Sequence, residues 1–163
     1  MVSELVWSDD LLDEARQTRD AVDAALRALG VSGELVVTGG ASVAGALTKG
    51  DIDLHLRVAP EAFSDVVARL REVYPVASPQ SWAATLAVLD VPGPRSTGLA
   101  VTPLHSEHDE RFRLTWQALR RNPDLLARYN ALKSATVGTE DYEGRKSRFF
   151  DSVIGEAAAR RPD

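Results

Sequence analysis

Residues 51–58 alternate strictly between polar and apolar side chains, in the order Asp-Ile-Asp-Leu-His-Leu-Arg-Val. A period of two residues predicts a β-strand with one buried face and one polar face. The buried face would carry Ile52, Leu54, Leu56 and Val58. Asp51, Asp53 and His55 would share the other face, because successive side chains of a strand point to opposite sides. A chain with this segment must build a sheet that leaves two carboxylates side by side.

Carboxylates in such close proximity repel each other, and a divalent cation is the usual compensation in proteins. Asp51 and Asp53 are therefore candidate metal ligands. Mg²⁺ is the cation that combines one or two carboxylates with substrate phosphates. The polar side of an ordinary edge strand would present the same aspartates without any metal. His55 is a candidate substrate contact on this face, and a hydrogen-bonded structural histidine is the competing interpretation.

A glycine-rich turn, Gly39-Gly40-Ala41-Ser42, precedes the alternating segment. Glycines without Cβ atoms let backbone N–H groups at Gly39 and Gly40 approach a phosphate closely. Ser42 adds a hydroxyl donor, and Lys49 could meet a phosphate as a point charge. These residues form a candidate phosphate-binding set, although an ordinary tight turn is the commoner role of a Gly-Gly pair.

The charge balance and the composition exclude several classes of function. The chain of 163 residues has a formal net charge of -5, which argues against broad contact with duplex nucleic acid or anionic membranes. It contains no cysteine, so disulfides and thiolate zinc sites are impossible. The sequence has neither a signal-peptide pattern nor a long apolar segment, and we expect a cytoplasmic protein.

The remaining patterns predict the order of the elements. Ser8 would cap an N-terminal helix over 8–30, and a sheet region would follow over 34–102. Within that region we predict the strands 34–38, 51–58, 82–91 and 97–102, with a helix starting at Pro60. Three helices would fill a helical half over 106–158, and Asn122-Pro123 would cap and start the second of them. The prediction is a single α+β domain over 1–163, in which helices pack against a small mixed sheet.

Four segments carry a resemblance to a known family. The turn at 39–42 followed by Asp51-Ile52-Asp53 resembles the signature of the nucleotidyltransferase superfamily, which has the polymerase-β-like fold. The block 39–49 is similar to the Gly-Ser-Thr-Ser-Val-Pro-Gly-Leu-x-x-Lys block of the GrpB-like branch. Segments 122–133 and 142–149 are similar to that branch's Tyr-x-x-Leu-Lys and Tyr-x-x-x-Lys-x-x-Phe helices. Together they span most of the chain in the expected order.

The resemblance implies a nucleotidyltransferase-like fold and an enzyme that uses Mg²⁺. It would transfer a nucleotidyl or phosphoryl group from a nucleoside triphosphate to a small acceptor, and we expect a phosphorylated small-molecule substrate. Asp51 and Asp53 would hold the metal, and the phosphates would meet Gly39, Gly40, Ser42 and Lys49. Lys146 and Arg148 would reach the same phosphates from the last helix. Active members carry a third catalytic carboxylate on a neighbouring strand, and Asp90 is the candidate for it. Asp90 shares the parity of Leu86 and Val88, which we expect to face the core.

A different class of function stays open from the residues alone. GrpB-like sequences often carry a His-Leu-His-Val pattern where this chain has Gly98-Leu99-Ala100-Val101. A diverged member without the third carboxylate would act as a nucleotide-binding or small-ligand-binding module, and a purely structural role is the third option.

Overall fold

The computed structural model describes residues 4–159 of the chain, and the side chains of residues 4–156. Its strands are β1 Val6–Trp7, β2 Glu34–Thr38, β3 Leu47–Thr48, β4 Ile52–Val58, β5 Ala87–Asp90 and β6 Thr97–Pro103. Its helices are α1 Leu12–Ala28, α2 Phe63–Arg71, α3 Glu107–Arg121, α4 Pro123–Thr136 and α5 Tyr142–Ala159. The predicted α+β class is confirmed, and the predicted single domain over 1–163, which extends beyond these residues at both ends, stays a prediction.

The larger of the two sheets has the strand order β2-β4-β6-β5. Its central strands β4 and β6 run parallel, and each outer strand is antiparallel to its neighbour. A parallel pair needs a crossover connection, and α2 lies within the connection between β4 and β6. The short strands β1 and β3 form a separate antiparallel pair. The predicted mixed sheet is therefore present, with its parallel pair at the centre.

One face of the large sheet is buried against α1 and α2. The apolar residues of β4 that were predicted to share this face are each at most 1% exposed: Ile52, Leu54, Leu56 and Val58. They form one cluster with Val22 and Leu26 of α1 and Leu70 of α2. The alternation in β4 is thus confirmed, and burial of these four side chains is what fixes the register of the strand.

The opposite face of the sheet is covered by the helical half. A second apolar cluster joins α3, α4 and α5 to the segment after β2, through Val43, Ala46, Trp116, Leu119, Leu125, Tyr129 and Val153. Asn122 accepts hydrogen bonds from the backbone N–H groups of Asp124 and Leu125, and Pro123 begins α4. The predicted Asn-Pro helix start is therefore confirmed.

Two predicted elements differ in the structure. The predicted strand 82–91 is reduced to β5, because the chain makes a tight turn between Ala83 and Leu86, whose backbone groups bond to each other. The predicted N-cap at Ser8 is also wrong. Its hydroxyl is buried and donates to the carbonyl of Val43, so Ser8–Leu11 forms a 3-10 turn before α1 begins at Leu12.

Within the described residues, the helices lack the combination of length and hydropathy that crossing a bilayer requires. The cytoplasmic location expected from the sequence stays a prediction.

A buried ion pair fastens α3 to β4. Both oxygens of Asp109 bond the guanidinium of Arg57, at 2.6 and 3.0 Å, and the backbone N–H of His105 donates to the same carboxylate at 2.8 Å. The side chain of Asp109 is fully buried. Burial by itself would raise the pKa of Asp109, but the hydrogen bonds and charge of Arg57 outweigh it and lower that pKa below its usual value.

We expect Asp109→Asn to lower the free energy of unfolding by about 3 kcal/mol at pH 7, because Arg57 loses its main charged partner. A carboxyl with a lowered folded-state pKa stabilises the fold above its usual pKa of 3.8, and that contribution is lost as the pH falls through the lowered value. Urea unfolding at pH 7 and pH 3 should therefore show the gap between the two proteins shrinking in acid. The control is Asp20→Asn, which removes an exposed ion pair with Arg19 and should change stability by less than about 1 kcal/mol. An equal loss for both variants, or an unchanged gap at pH 3, would contradict stabilisation of the fold by the ion pair of Asp109 and Arg57.

Candidate functional site

The candidate site begins where β2 ends beside the start of β4. Thr38 pairs with Asp53 in the sheet, and on the other side Gly98 of β6 pairs with Asp53. The chain then turns at Gly39, whose φ of 69° and ψ of -166° lie in a region that is essentially restricted to glycine. A Cβ atom on Gly39 would lie 2.4 Å from Oδ2 of Asp53. The turn can therefore approach the carboxylate only because residue 39 is a glycine.

Asp51 and Asp53 line one polar cavity of about 180 Å³, which we call the aspartate cavity. The turn contributes Gly39 and Gly40, and the helical half closes the opposite side. The other side chains that line it are Thr48, Lys49, Trp116, Tyr129, Lys133, Tyr142, Glu143 and Lys146. Three carboxylates and three ammonium groups thus share one small space, which suits a divalent cation together with an anionic ligand.

The three lysines of the aspartate cavity rest on aromatic rings. Nζ of Lys49 lies 4.3 Å from the ring centroid of Tyr142, and Nζ of Lys146 lies 5.7 Å from the same centroid. Nζ of Lys133 donates to the hydroxyl of Tyr129 at 2.9 Å. Within residues 4–156, none of these ammonium groups lies within 4.0 Å of a carboxylate oxygen. Their charges are therefore available to an anionic ligand.

The charges in this cavity shift two pKa values. Asp53 keeps solvent-accessible surface, but protein atoms crowd its carboxyl group. This desolvation raises the pKa of Asp53. The positive charge of Lys146 opposes the shift, and the negative charge of Asp51 adds to it. Lys133 is 7% exposed, and its burial, together with the positive charge of Lys146, lowers its pKa to about 8. A bound cation would favour the ionised form of Asp53, and a bound anion would favour the protonated form of Lys133.

The structure separates some of the predicted phosphate contacts from the aspartates. Ser42 donates to the carbonyl of Gly39 at 2.7 Å and accepts from Nη1 of Arg120 at 3.2 Å. It lines a different cavity, on the other side of the turn. Arg148 is exposed, and its guanidinium lies 3.9 Å from the carboxylate of Asp141. The structure therefore keeps Gly39, Gly40, Lys49 and Lys146 in the aspartate cavity and places Ser42 and Arg148 outside it.

His55 shares the sheet face of Asp53 but is 1% exposed. Its Nε2 lies 2.8 Å from the hydroxyl of Thr102, and its ring packs against Phe112 with centroids 4.9 Å apart. Burial lowers the pKa of His55 to about 4, ahead of the opposing effect of Asp109. The structure places this residue as a hydrogen-bonded histidine under α3, which matches the structural interpretation rather than the substrate contact.

Asp90, the predicted third carboxylate, pairs with Gly98, which in turn pairs with Asp53. The two aspartates therefore lie on one face of the sheet but two strands apart, at a separation of about 10 Å across the sheet. The expectation that Asp90 has the parity of a core face is wrong. The core residues of β5 are Ala87 and Leu89, so Asp90 points to the other side. The position next to Asp53 is held by Gly98, which has no side chain.

A third carboxylate does line the aspartate cavity, and it comes from α5. Glu143 is exposed at the start of that helix. Within the described residues, the sole trio of His, Asp or Glu whose ligand atoms all lie within 4.8 Å of one another is His105, Asp109 and Glu110. Glu143 thus does not complete a three-carboxylate cluster with both aspartates in this conformation.

From the helical half, sequence reasoning identified Lys146 and missed Tyr129, Lys133, Tyr142 and Glu143. A lysine on a helix is most often an exposed surface charge, so Lys133 did not stand out. The signal that could have found it is its spacing from Leu125 and Tyr129, because residues four apart on a helix share a face and both of these side chains are buried.

Comparison with known proteins shows the family of this chain. The family model described as GrpB protein matches residues 5–156. The chain belongs to the GrpB family. A UPF0157 protein of Vibrio cholerae serotype O1 is 30% identical over 122 residues, which cover 73% of this chain and 64% of that relative. The chain thus spans less than two thirds of the length of that relative.

Solved structures show the same fold. The crystal structure of the conserved protein GrpB from Enterococcus faecalis superimposes with a TM-score of 0.72 at 15% identity, covering 94% of this chain and 96% of that one. The poly(U) polymerase Cid1, in a structure described as MgGTP bound, has a TM-score of 0.53 at 17% identity, covering 75% of this chain and 41% of that one. The GrpB-family protein described here therefore has a nucleotidyltransferase-like fold.

We expect Gly39→Ala to lower the affinity for Mn²⁺, used as a stand-in for Mg²⁺, by about tenfold or more. The added methyl group must displace the carboxylate of Asp53, since the two would lie 2.4 Å apart. Titration followed by the electron paramagnetic resonance signal of free Mn²⁺ measures this affinity.

The matched control for this change is Gly138→Ala. Gly138 also has a positive φ, of 80°, but a Cβ atom there would meet nothing within 4 Å. Both variants should lose about 1–2 kcal/mol of stability from backbone strain. Weakened Mn²⁺ binding in both would show that strain, and not contact with Asp53, is responsible.

Proposed function

We propose that this protein is a Mg²⁺-dependent nucleotidyltransferase that moves a nucleotidyl group from a nucleoside triphosphate to a small acceptor. The observation that carries the proposal is the aspartate cavity, in which Asp51 and Asp53 face the ammonium groups of Lys49, Lys133 and Lys146. The nucleotidyltransferase-like fold supports it, and a neighbour of that fold is described with MgGTP bound. We expect no membrane and no duplex nucleic acid among its partners.

The residues of the cavity fit a hard divalent cation. Asp51 and Asp53 would hold it, since Mg²⁺ takes oxygen ligands and completes its shell with water and substrate phosphates. The cation would neutralise charge on the transferring phosphate and help to orient it. The mutual repulsion that contributes to the raised pKa of Asp53 would then be relieved.

The chain itself would bind and orient the polyphosphate. Lys49 reaches the cavity from the segment before β4, Lys133 from α4 and Lys146 from α5. Three cations on different elements can surround the phosphates from several directions, and Gly39 and Gly40 line the same cavity. Phosphoryl-group transfer depends mainly on such positioning and charge neutralisation, so these groups supply most of what the reaction needs.

A second candidate function is nucleotide binding without turnover. The observation that favours it is Gly98, which occupies the position beside Asp53 where a neighbouring strand would present a third carboxylate. Glu143 from α5 is the alternative source of that carboxylate. Formation of pyrophosphate with any acceptor decides between the two functions.

The experiment measures melting temperature with ATP, GTP, CTP and UTP, each with and without Mg²⁺. The wild-type protein should melt about 5–10 °C higher with its preferred nucleotide at a hundredfold excess over Kd, because binding stabilises the folded state. Asp53→Asn should abolish the Mg²⁺-dependent part of the shift. Asp90→Asn is the matched control and should keep it, since Asp90 lies two strands away. An Mg²⁺-dependent shift that survives Asp53→Asn, or no shift with any nucleotide, sinks the proposal.

A pH dependence follows from Lys133. With a pKa of about 8, Lys133 is mostly protonated at pH 7 and mostly neutral at pH 9. A bound polyphosphate favours the ammonium form, so the affinity for Mg²⁺–nucleotide should fall as pH rises through 8. The expected fall is about tenfold, the value of one charge-assisted hydrogen bond. Isothermal titration calorimetry at pH 7 and pH 9 measures it. Lys133→Arg keeps its charge and should flatten the profile, and an equally steep fall in that variant would show that another group titrates.

A further inference from the structure

A second cavity adjoins the aspartate cavity on the same face of the sheet. Its volume is about 510 Å³, and it lies between the strands β5 and β6 and the helices α3 and α5. Gly98 and Ala100 of β6 form its floor together with Val88 of β5. The space exists because the two residues of β6 that face it, Gly98 and Ala100, carry no side chain larger than a methyl group. We call it the sheet cavity.

The walls of the sheet cavity are mainly apolar and aromatic. Phe112 and Trp116 line it from α3, and Phe150 lines it from α5. The rings of Trp116 and Phe150 meet edge to face, with centroids 5.3 Å apart. The charged or titratable side chains of its lining are Asp53 and Lys146, which also line the aspartate cavity, and Glu107, His108 and Arg111 of α3. Of these, Arg111 is already paired with Asp151 at 2.7 Å, and Nδ1 of His108 lies 2.7 Å from the hydroxyl of Thr85. Such walls favour a flat, uncharged group over a phosphate.

One polar atom on this wall has no partner. Thr115 is 3% exposed, and its hydroxyl oxygen makes no hydrogen bond within the described residues. A threonine inside a helix can bond back to the carbonyl four residues earlier, but this one does not. An unsatisfied buried hydroxyl is unfavourable, so a ligand atom that bonds to it gains affinity. The same residue lines the sheet cavity, where a ligand could reach it.

The sheet cavity is continuous with the proposed reaction centre. Asp53, Gly39, Trp116 and Lys146 line both cavities. A molecule that fills the sheet cavity therefore ends beside Asp53, whereas a polyphosphate is drawn to the lysines of the aspartate cavity. The two spaces differ in chemistry as the two substrates of a transfer reaction would.

We propose that the sheet cavity binds the acceptor, and that the acceptor is an uncharged, ring-bearing alcohol. Its ring would lie between the aromatic walls and carry a polar atom that forms a hydrogen bond with the hydroxyl of Thr115. This assignment rests on the proposed function. The acceptor hydroxyl, directed toward Asp53, forms a new bond from its oxygen to the α-phosphorus of the nucleotide. The bond from that phosphorus to the bridging oxygen breaks, pyrophosphate leaves with the electron pair, and the hydroxyl proton is released to water.

The first test uses 2-phenylethanol, a neutral ring-bearing alcohol, and the amide NMR spectrum of the full chain. Signals of Gly98, Ala100 and Thr115 should shift and saturate at millimolar concentrations. Ala100→Phe fills the cavity and should abolish these shifts, while its spectrum reports whether the variant is folded. Absence of the shifts in the wild-type protein, or their persistence in folded Ala100→Phe, overturns the proposal.

The second test uses Thr115→Val, which removes the hydroxyl and keeps the shape of the side chain. Without ligand this variant should melt about 2–4 °C higher than the wild-type protein, because an unpartnered buried hydroxyl is gone. Its affinity for a hydroxyl-bearing ring, 2-(4-hydroxyphenyl)ethanol, should fall about fivefold, as expected for one lost hydrogen bond. A merely structural threonine would not give higher stability together with weaker binding. Unchanged affinity overturns the role of Thr115 as a ligand contact.

The failure of this proposal can be separated from that of the proposed function. Asp51 lines the aspartate cavity but not the sheet cavity, so Asp51→Asn should lose Mg²⁺–nucleotide binding and keep the 2-phenylethanol shifts. If the wild-type protein binds Mg²⁺–nucleotide but no ring-bearing alcohol, the acceptor assignment fails alone. If it binds the alcohol but no nucleotide, the transfer reaction fails, and the assignment of the cavity to an acceptor fails with it.

Discussion

The close contact between Gly39 and the carboxylate of Asp53 is the constraint on which the site depends. It requires the antiparallel register that pairs Thr38 with Asp53, and that register is fixed by the burial of alternate residues of β4 on the other face of the sheet. It also requires a backbone conformation that only glycine adopts readily. Sheet packing on one side of β4 thus determines where a carboxylate and a backbone turn meet on the other side.

The parts of the structure that follow from local chemistry could be predicted from the sequence. Alternation along 51–58 sets a strand and its two faces, and Asn122 with Pro123 starts a helix whatever lies around it. Lys133 could not be assigned in this way, because its burial beside Tyr129 depends on how α4 packs on α5 and on the sheet. The sequence spacing allowed that face to be buried, but only tertiary packing decides that a lysine lies within it.

The faces predicted for the strand 82–91 are wrong for a physical reason that also bears on function. Apolar residues occur on both parities of this segment, so periodicity alone suggested that Val88 and Asp90 face the core. In the structure Leu89 faces the core, whereas Val88 faces the sheet cavity. An apolar residue on the face opposite the core thus indicates that this face is covered as well. Helices cover both faces of β5, so both faces carry apolar residues.

The charged groups of the site are paired differently from those of the chain as a whole. A protein with a net charge of -5 has carboxylates available to neutralise every lysine, and most of its surface arginines are indeed paired. The lysines of the aspartate cavity contact Tyr129 and Tyr142 instead. An aromatic ring orients an ammonium group without cancelling its charge, since it offers only a quadrupole. The site therefore keeps ammonium groups whose charge is not cancelled by a direct ion pair beside its aspartates. The proposed cation would satisfy the aspartates and the proposed polyphosphate would satisfy the lysines.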